Sequence, residues 1–454
     1  MKFLIKKFSP TILAISFLFL IYTFYRSEIL WDGNNRNYYK TYYLISSILI
    51  FFSIITFFLN DKIKQYLIIS GISLVVSLYL FEGYLIFKEQ LSKEQPSKEQ
   101  ISKEQLSKEQ LYENQTGNKW DRRKKIEIYK DLKKTNDKIT VTDFIFHPTY
   151  LAKKNRSILP LSLSGLANLL TIYCNENGYY AIYQSDRYGF NNPDEEWDKK
   201  EIEYLLVGDS FTHGACVNRP NDISSVLRNL SNKSVLNLGI SGNGSLIEYV
   251  TLREYLDTNV KKVLWIYYEG NDLQELKEEK KNNILTNYLK DLNFTQNLKF
   301  KQNEIDDLII KILIEREREI EAESERNTFK FNLIQFIKIY NTRFLILPPP
   351  TPPPPPEFKK ILQLTKELLE KNNSKLYFVY LPEYINYTIN YDNPNYNLVK
   401  NIVTELSIPF IDIHKEVFEK EQNPLQLFPF GMSGHFNVEG YKKIAETIYK
   451  FTKD

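Results

Sequence analysis

Apolar residues are concentrated in three long stretches at the start of the chain, Phe8–Tyr25, Tyr42–Leu59 and Tyr66–Phe87. Each is about 18 to 22 residues long, enough for a helix to cross a bilayer core of about 30 Å. The first two contain no charged residue, and Glu82 lies near the end of the third. No small-residue cleavage site of a signal peptide follows the first stretch. The pattern therefore predicts three transmembrane helices within residues 1–87.

Basic residues around these stretches predict their orientation. Lys2, Lys6 and Lys7 precede the first stretch, and Lys62 and Lys64 occupy the short second loop, whereas the first loop has mixed charge. Because loops rich in lysine and arginine stay in the cytoplasm, the chain is expected to start inside. Three crossings then place everything after residue 87 outside the cytoplasm, in the periplasm or the extracellular space, on a multi-pass protein of the cell membrane.

Residues 88–117 contain a five-residue repeat, LSKEQ, PSKEQ, ISKEQ and LSKEQ, between Leu91 and Gln110. This period matches neither 3.6 nor 3.5, so the apolar positions rotate around a helix and form no stripe. Glutamates four residues before lysines favour a solvated single helix, which Pro96 interrupts. We interpret the repeat as a spacer, semi-rigid or disordered; a coiled-coil partner is the less favoured alternative.

Residues 118–200 form a β-rich lead-in with a turn at Asn177-Gly178, and residues 201–454 alternate short apolar strands with amphipathic helices. Continuous apolar strands between helices are typical of a parallel sheet covered on both faces. We therefore expect an α/β domain with five parallel strands. The predicted strands are Glu203–Val207, Val235–Leu238, Lys262–Tyr268, Leu376–Leu381 and Ile408–Ile413.

Two features interrupt this domain. Residues 273–345 form a highly charged, helix-prone insert, and residues 348–356 are almost entirely proline. A proline run adopts stiff polyproline II structure, which suits either a docking site for a proline-binding partner or a rigid connector. The connector is the favoured interpretation.

Composition narrows the classes of function. The net charge of +3 arises from 59 basic and 56 acidic residues, a balance that gives no electrostatic footprint for nucleic acid. The two cysteines, Cys174 and Cys216, do not have metal-site spacing, and no metal or organic cofactor is indicated. Outside the cytoplasm they can form one disulfide, and two buried free thiols are an equally weighted alternative.

Polar residues follow three of the predicted strands, at the edge of the sheet where ligands bind in open α/β folds. Gly208, Asp209 and Ser210 follow the first strand, Gly242 follows the second, and Asn271 follows the third. A sharp strand-to-helix turn exposes a serine and points backbone N–H groups outward. This arrangement suits a nucleophile whose product is an oxyanion.

A serine nucleophile needs a neighbouring base, and the chain offers four histidines. His435 precedes the C-terminal helix, which should pack beside the first strand and bring the imidazole near Ser210. His213 is too close to Ser210 in sequence to face it comfortably. His147 lies in the lead-in, and His414 closes the fifth strand.

Together these residues resemble the four blocks of the SGNH hydrolases, also called GDSL esterases: GDSF at Ser210, NLGISGNG at Gly242, EGND at Asn271 and GHFNVEGY at His435. The resemblance covers about a third of the chain. It implies a flavodoxin-like, three-layer domain in which Ser210 attacks an ester carbonyl and His435 removes the serine proton. The Ser210 N–H, the Gly242 N–H and the Asn271 side chain would hold the oxyanion, while Gly208 and Asp209 would brace the turn.

The chain departs from the family at one position. Three residues before the histidine, where the family usually has an aspartate, stands Met432. We expect a Ser-His dyad, in which a backbone carbonyl near Met432 accepts the His435 N–H, or else a distant carboxylate such as Asp412. Loss of the orienting carboxylate would weaken catalysis.

The resemblance and the predicted membrane spans together predict an extracytoplasmic, membrane-anchored serine esterase that acts on acyl esters, O-acetyl groups first, of cell-envelope glycans. An O-acyltransferase that modifies a polysaccharide from the same site is one alternative, and it would need a membrane partner that delivers the acyl group. A non-catalytic SGNH-fold protein that binds glycans or scaffolds an assembly is the other.

Overall fold

A computed structural model defines the fold of the chain. It describes residues 2–30, 33, 36–94, 100–142, 147, 160–256, 259–323, 333–347, 353–388 and 393–453.

The helices of the described chain are named α1 to α17 in chain order. They are α1 (Lys2–Phe24), α2 (Arg36–Thr56), α3 (Asp61–Glu94), α4 (Gln100–Thr116), α5 (Lys125–Lys133), α6 (Ser210–His213), α7 (Ile223–Ser231), α8 (Ser245–Tyr255), α9 (Asp272–Glu279), α10 (Asn283–Lys290), α11 (Gln302–Glu323), α12 (Leu333–Ile337), α13 (Tyr340–Ile346), α14 (Pro356–Lys371), α15 (Tyr396–Glu405), α16 (Ile413–Glu416) and α17 (Val438–Thr452). A π-helical turn, Tyr25–Leu30, continues α1, and short 3-10 turns occur at Asp194–Asp198, Leu298–Phe300, Tyr384–Tyr387, Phe418–Lys420, Pro424–Leu427 and Pro429–Gly431.

The chain divides into two compact units. The first, the membrane unit, comprises Met1–Ser102 and Arg326–Pro353; the second, the α/β unit, comprises Lys103–Glu325 and Pro354–Asp454. The division therefore assigns a late segment of the chain to the same unit as its N-terminus.

Three helices of the membrane unit are long and apolar enough to cross a membrane, over Lys2–Ile29, Arg36–Thr56 and Asp61–Lys88. Their outer faces carry large apolar side chains, while Ser16, Ser46 and Ser53 lie buried between the helices. The buried serine hydroxyls donate to carbonyl oxygens three or four residues back in their own helices. Small residues let helix backbones approach closely, which is how helices pack where no water drives their association.

The α/β unit contains a five-stranded parallel sheet, which confirms the predicted fold. Its strands are β4 (Ile202–Gly208), β5 (Val235–Asn237), β6 (Val260–Tyr268), β7 (Lys375–Leu381) and β8 (Phe410–Asp412). They lie in the order β5-β4-β6-β7-β8, and every neighbouring pair is parallel. This is the flavodoxin-like order, in which the chain reverses direction across the sheet next to β4.

Both faces of this sheet are covered. Alternate residues of β4 point into two separate apolar cores. Leu205 and Val207 belong to the first core, and Tyr204 and Leu206 belong to the second. Helices α8 to α11, α14 and α15 supply the first core, and α7 and α17 supply the second. The continuous apolar character of the strands follows from burial on both sides.

The lead-in forms a small three-stranded sheet of its own. Its strands are β1 (Ile139–Val141), β2 (Leu170–Ile172) and β3 (Ile182–Gln184), in the order β1-β2-β3. Strands β1 and β2 are parallel, whereas β2 and β3 pair in an antiparallel manner around the turn at Gly178, where φ is +89°. A left-handed residue at such a turn favours glycine.

In the spacer, α3 continues to Glu94 and α4 begins at Gln100, whereas the predicted break at Pro96 lies outside the described residues. Only residues 353–356 of the proline run are described, and Pro356 begins α14. Proline is favoured at the first helical position because the N–H it lacks would have no partner there.

Candidate active site

Ser210 lies on the sharp turn that joins β4 to α6. A Cβ at Gly208 would collide with the Thr212 side chain and approach the Ile266 carbonyl oxygen to 2.6 Å, so this position requires glycine. The Asp209 carboxylate caps α6 by accepting from the Phe211 N–H at 2.9 Å. Ser210 itself is the first residue of the helix, where a backbone N–H has no acceptor in a preceding turn.

His435 lies directly opposite this serine. It precedes α17, whose N-cap residue Asn437 accepts from the Gly440 N–H at 2.9 Å. The His435 Nε2 atom is 2.9 Å from the Ser210 Oγ atom. The Phe211 ring packs against the imidazole, with ring centroids 4.7 Å apart. The two residues predicted as nucleophile and base are therefore within hydrogen-bonding distance.

The imidazole is oriented by Glu176, a residue that the sequence interpretation missed. The His435 Nδ1 atom is 2.9 Å from Glu176 Oε1, and the His435 backbone N–H donates to Glu176 Oε2 at 2.6 Å. Because a carboxylate can only accept, Nδ1 carries the proton and Nε2 presents its lone pair to Ser210, which donates its hydroxyl. Serine, histidine and glutamate thus form one hydrogen-bonded chain.

Neither expected substitute for the family aspartate is found. Asp412 caps α16 through the Lys415 N–H, and it forms an ion pair with Lys400 at 3.5 Å. Near Met432, the Ser433 carbonyl oxygen accepts from the Lys108 ammonium at 3.0 Å. The prediction of a Ser-His dyad is therefore wrong, because Glu176 of the lead-in contacts His435 Nδ1, where the family has its aspartate.

A disulfide and a side-chain hydrogen bond fix the loop that carries Glu176. Cys174 and Cys216 are bonded to each other, and the Asn177 side-chain amide donates to the Cys216 carbonyl oxygen at 2.9 Å. A Cβ at Gly434 would lie 2.7 Å from Glu176 Oε2, so glycine leaves room for the carboxylate. The two cysteines were the sequence signal from which the proximity of Glu176 and Ser210 could have been predicted. A Cys174–Cys216 bond joins the loop of Glu176 to the turn that carries Ser210.

The electrostatics of the pair favour a charged glutamate and a basic imidazole. Burial alone would lower the pKa of His435, but the hydrogen bond and negative charge of Glu176 outweigh burial and raise it. For Glu176 the directions are reversed. Burial alone would raise its pKa, but the hydrogen bond and charge of His435 bring the pKa below its usual value. Each residue therefore stabilises the charged form of the other.

The predicted oxyanion residues flank the same turn. The Ile240 N–H of the loop after β5 donates to the Gly208 carbonyl oxygen at 3.3 Å, and Gly242 in that loop has a φ of +82°. Asn271 is the N-cap residue of α9. Burial raises the pKa of Asp209 to about 6, and a hydrogen bond from the Asn271 side chain opposes this rise. The three strand ends thus converge, as the open α/β fold requires.

The other histidines have different surroundings. His213 is buried, with Nδ1 3.1 Å from the Gly239 carbonyl oxygen, and burial lowers its pKa to about 4. His414 lies 2.7 Å from the Tyr387 hydroxyl, and His147 lies 3.3 Å from Asn243. The Cys216 sulfur lies 4.0 Å from His435 Nδ1, but it belongs to the disulfide and does not offer a thiolate to a metal.

A cavity of about 600 Å³ opens beside His435. Its wall combines apolar side chains with scattered hydroxyl and amide groups, contributed by the small sheet, the loop after β5 and α11: Thr140, Tyr173, Ile240, Ser241, Asn243 and Ile309. Ligand pockets of several hundred Å³ are typical of sites for small organic molecules. The cavity is therefore large enough for part of an ester substrate.

Ser210, His435 and Glu176 are thus joined by hydrogen bonds beside the carboxyl end of β4, an arrangement that can activate a serine hydroxyl. No protein-family model matches the chain, and no curated protein is similar to it in sequence. Solved structures of SGNH-type esterases do match it, each over about half of the chain. One is described as a lipolytic protein of the G-D-S-L family from Desulfitobacterium hafniense DCB-2, with 15% identity, a TM-score of 0.30 and coverage of 55% of this chain and 99% of that chain.

Two further matches are esterases of acetylated carbohydrates. An acetyl xylan esterase has 14% identity and a TM-score of 0.31, covering 55% of this chain and 99% of its own. A variant of an acetyl-xylooligosaccharide esterase from Geobacillus has 15% identity and a TM-score of 0.29, covering 56% of this chain and 94% of its own.

Proposed function

We propose that the protein is a membrane-anchored serine esterase that removes acyl groups, O-acetyl groups first, from cell-envelope glycans outside the cytoplasm. The observation that carries this proposal is the hydrogen-bonded chain from Glu176 through His435 to Ser210. A serine hydroxyl is a weak nucleophile, and a neighbouring imidazole held in one tautomer is what activates it.

The reaction begins when His435 Nε2 takes the proton of Ser210 and Oγ attacks the ester carbonyl carbon. The negative charge that develops on the carbonyl oxygen is stabilised by the Ser210 N–H, the Gly242 N–H and the Asn271 side-chain amide. Meanwhile Glu176 stabilises the imidazolium. When the ester C–O bond breaks, His435 returns the proton to the leaving alcohol, and the acyl group stays on Ser210.

Water completes the cycle. It loses a proton to His435 Nε2 and attacks the acyl-Ser210 carbonyl, after which Ser210 regains the proton and the carboxylic acid leaves. If a sugar hydroxyl replaces water in this second step, the same residues transfer the acyl group to a polysaccharide. That route needs a membrane partner that delivers the acyl donor across the bilayer.

The cavity beside His435 supports a glycan ester as the substrate. Its mixed lining of apolar side chains and hydroxyl or amide groups suits a sugar ring, which presents both C–H faces and hydroxyls. The acetyl-carbohydrate esterases among the matched structures give the same chemical class of substrate.

The test is to label the full-length protein in membranes with a fluorophosphonate probe, comparing the wild type with Ser210→Ala and His435→Ala. We expect labelling of the wild type and none of either variant, together with loss of p-nitrophenyl acetate hydrolysis. Adding an oligosaccharide acceptor and measuring the masses of the products by mass spectrometry then distinguishes acyl transfer from hydrolysis. A folded wild-type protein that takes up no probe would contradict the proposal and favour the non-catalytic, glycan-binding alternative.

A further inference from the structure

A segment from late in the chain belongs to the membrane unit. Its described part, residues 333–347, is named the late segment here. It consists of two short helices, α12 and α13, separated at Lys338–Ile339, where Ile339 has a φ of +42°. Residues Arg326–Pro353, which contain it, fall into one compact unit with Met1–Ser102.

Aromatic side chains of α2 and α3 bind the backbone of the late segment. The Tyr79 hydroxyl donates to the Ile337 carbonyl oxygen at 3.0 Å, and the Tyr79 ring lies 5.2 Å from that of Phe336. The Tyr38 hydroxyl donates to the Leu347 carbonyl oxygen at 3.4 Å. Each bond satisfies a carbonyl at the end of a short helix, a group that has no partner within its own helix.

Contacts with the late segment explain why Glu82, a carboxylate, lies within an apolar membrane span. Its side chain is fully buried, and it accepts from the Asn341 N–H at 2.9 Å and from the Thr342 N–H and hydroxyl, both at 2.8 Å. A buried carboxylate is costly unless hydrogen-bonded, and polar groups inside a membrane region face other protein elements. The first turn of α13 supplies the donors that Glu82 needs.

Most of the exposed side chains that the structure describes in the late segment are apolar. Leu333, Ile334, Ile337 and Leu345 are each 58–65% exposed, which resembles the 70% exposure of Leu80 on the outer face of α3. The late segment contains no aspartate or glutamate, and its two charged residues, Lys338 and Arg343, are both basic and exposed. An apolar surface edged by basic residues is typical of elements that lie in the headgroup and upper acyl region of a bilayer.

The contacts lie at one face of the membrane. Tyr38 is near the start of α2 and Glu82 is near the end of α3, and three crossings put these two helix ends on the same side. Tyr79 is about 14 Å along the helix from Lys88, the end of the third span, at 1.5 Å per residue. This depth corresponds to one leaflet of a bilayer core of about 30 Å.

We infer that the late segment is a membrane element, a broken helix embedded in that leaflet beside α3. Lipid acyl chains cover its exposed leucine and isoleucine side chains, and Lys338 and Arg343 reach the headgroup phosphates. The chain thus enters the bilayer a second time within the region that its sequence marks only as a charged insert. This inference is independent of the proposed enzymatic function.

The test uses single cysteines, because the only two native cysteines are joined to each other. Leu345→Cys and Ile334→Cys are labelled with a bimane fluorophore in the full chain, reconstituted into phosphatidylcholine–phosphatidylglycerol liposomes. Quenching by doxyl-labelled lipids is compared with quenching by aqueous iodide. Leu80→Cys is the matched control for a lipid-facing site, and Phe300→Cys, at a residue 86% exposed in the α/β unit, is the control for a water-facing site.

We expect both late-segment positions to be quenched by doxyl lipids as strongly as Leu80→Cys and to be shielded from iodide. Iodide quenching like that of Phe300→Cys would overturn the inference, because the late segment would then lie in water. Shielding from both quenchers would overturn it as well, since protein and not lipid would cover the surface. Neither result depends on esterase activity.

Discussion

Glu176 holds His435 at two points, because one carboxylate oxygen meets the ring nitrogen Nδ1 and the other accepts from the backbone N–H. The ring can therefore neither flip nor tilt without losing a hydrogen bond. A carboxylate that fixes both the position and the tautomer of an imidazole has the same role as the aspartate of a Ser-His-Asp triad. The contact joins residues 259 positions apart in the chain.

Replacing this carboxylate tests its role directly. In Glu176→Gln we expect kcat for p-nitrophenyl acetate to fall by about 10³- to 10⁴-fold, with a smaller change in KM. Glu176 raises the pKa of His435, and the base must be neutral to act. Activity should therefore rise with pH through a lower pKa in the variant than in the wild type, so the acidic limb of the pH profile moves to lower pH.

Asp412→Asn is the matched control for this experiment, since Asp412 is the carboxylate that the sequence suggested and the structure places beside Lys400. Its pH profile should equal that of the wild type. An acidic limb that stays in place in Glu176→Gln, or one that moves in Asp412→Asn, would contradict the assignment.

Gly434 offers a second test at the residue scale, without removing any charge. A Cβ in Gly434→Ala would lie 2.7 Å from Glu176 Oε2 and force the carboxylate away from His435. We expect kcat to fall by roughly 10- to 100-fold, because small displacements of catalytic groups are costly. Thermal unfolding and kinetics of this variant are to be compared with those of Ser433→Ala, which alters only an exposed neighbour. Equal rates in the two variants would show that the carboxylate tolerates the shift.

The elements of the active site differ in how far they could be predicted. The five strands of the large sheet are continuous apolar runs, and their buried positions follow from their sequence alone. Ser210, His435 and Asn271 stand at strand ends or helix starts, so the expected topology brings them together. Glu176 lies instead beside a sheet of three-residue strands, whose pattern is too short to predict its pairing.

The disulfide couples that small sheet to the nucleophile turn. It closes a chain segment of 42 residues, for which loop-closure entropy predicts a stabilisation of about 4 kcal/mol. We expect Cys174→Ser/Cys216→Ser to lose stability of this order in denaturant titrations. We also expect kcat to decrease while the protein is still folded, because the loop that carries Glu176 is released.

Reduction of the wild type with dithiothreitol should reproduce both effects, and reoxidation should restore them. The double variant itself should be insensitive to the reductant, which controls for effects elsewhere in the chain. Full activity in the folded, reduced protein would mean that the hydrogen bond from Asn177 to Cys216 suffices to place Glu176.

At the scale of the whole molecule, the sequence predicted the three spans but not the late segment. The spans are unbroken apolar stretches of membrane length, whereas residues 333–347 form a stretch of 15 that includes Lys338 and Arg343. A stretch of that length is ambiguous between a core helix and a membrane element. The contacts with Tyr79 and Glu82 place the late segment beside α3 and support the membrane element that we infer.

Charge and redox chemistry together support the proposed orientation of the molecule in the membrane. Lysines before α1 and in the loop between α2 and α3 favour the cytoplasmic side, and the Cys174–Cys216 bond is of a kind that persists in oxidising compartments. Both favour the proposed position of the α/β unit outside the cytoplasm. We therefore expect Phe300→Cys to react with a membrane-impermeant maleimide in intact spheroplasts, and Asn60→Cys, in the loop between α2 and α3, to react only after the membrane is permeabilised.

The two variants control for each other, because each carries a single exposed thiol on an otherwise unchanged chain. The reverse pattern would put Ser210 and its substrate in the cytoplasm, where the disulfide would be reduced and the loop of Glu176 released. Cell-envelope glycans would then be out of reach of the site, even if fluorophosphonate labelling had established that Ser210 is activated. The side of the membrane on which Phe300→Cys reacts therefore determines which esters could reach the proposed esterase site.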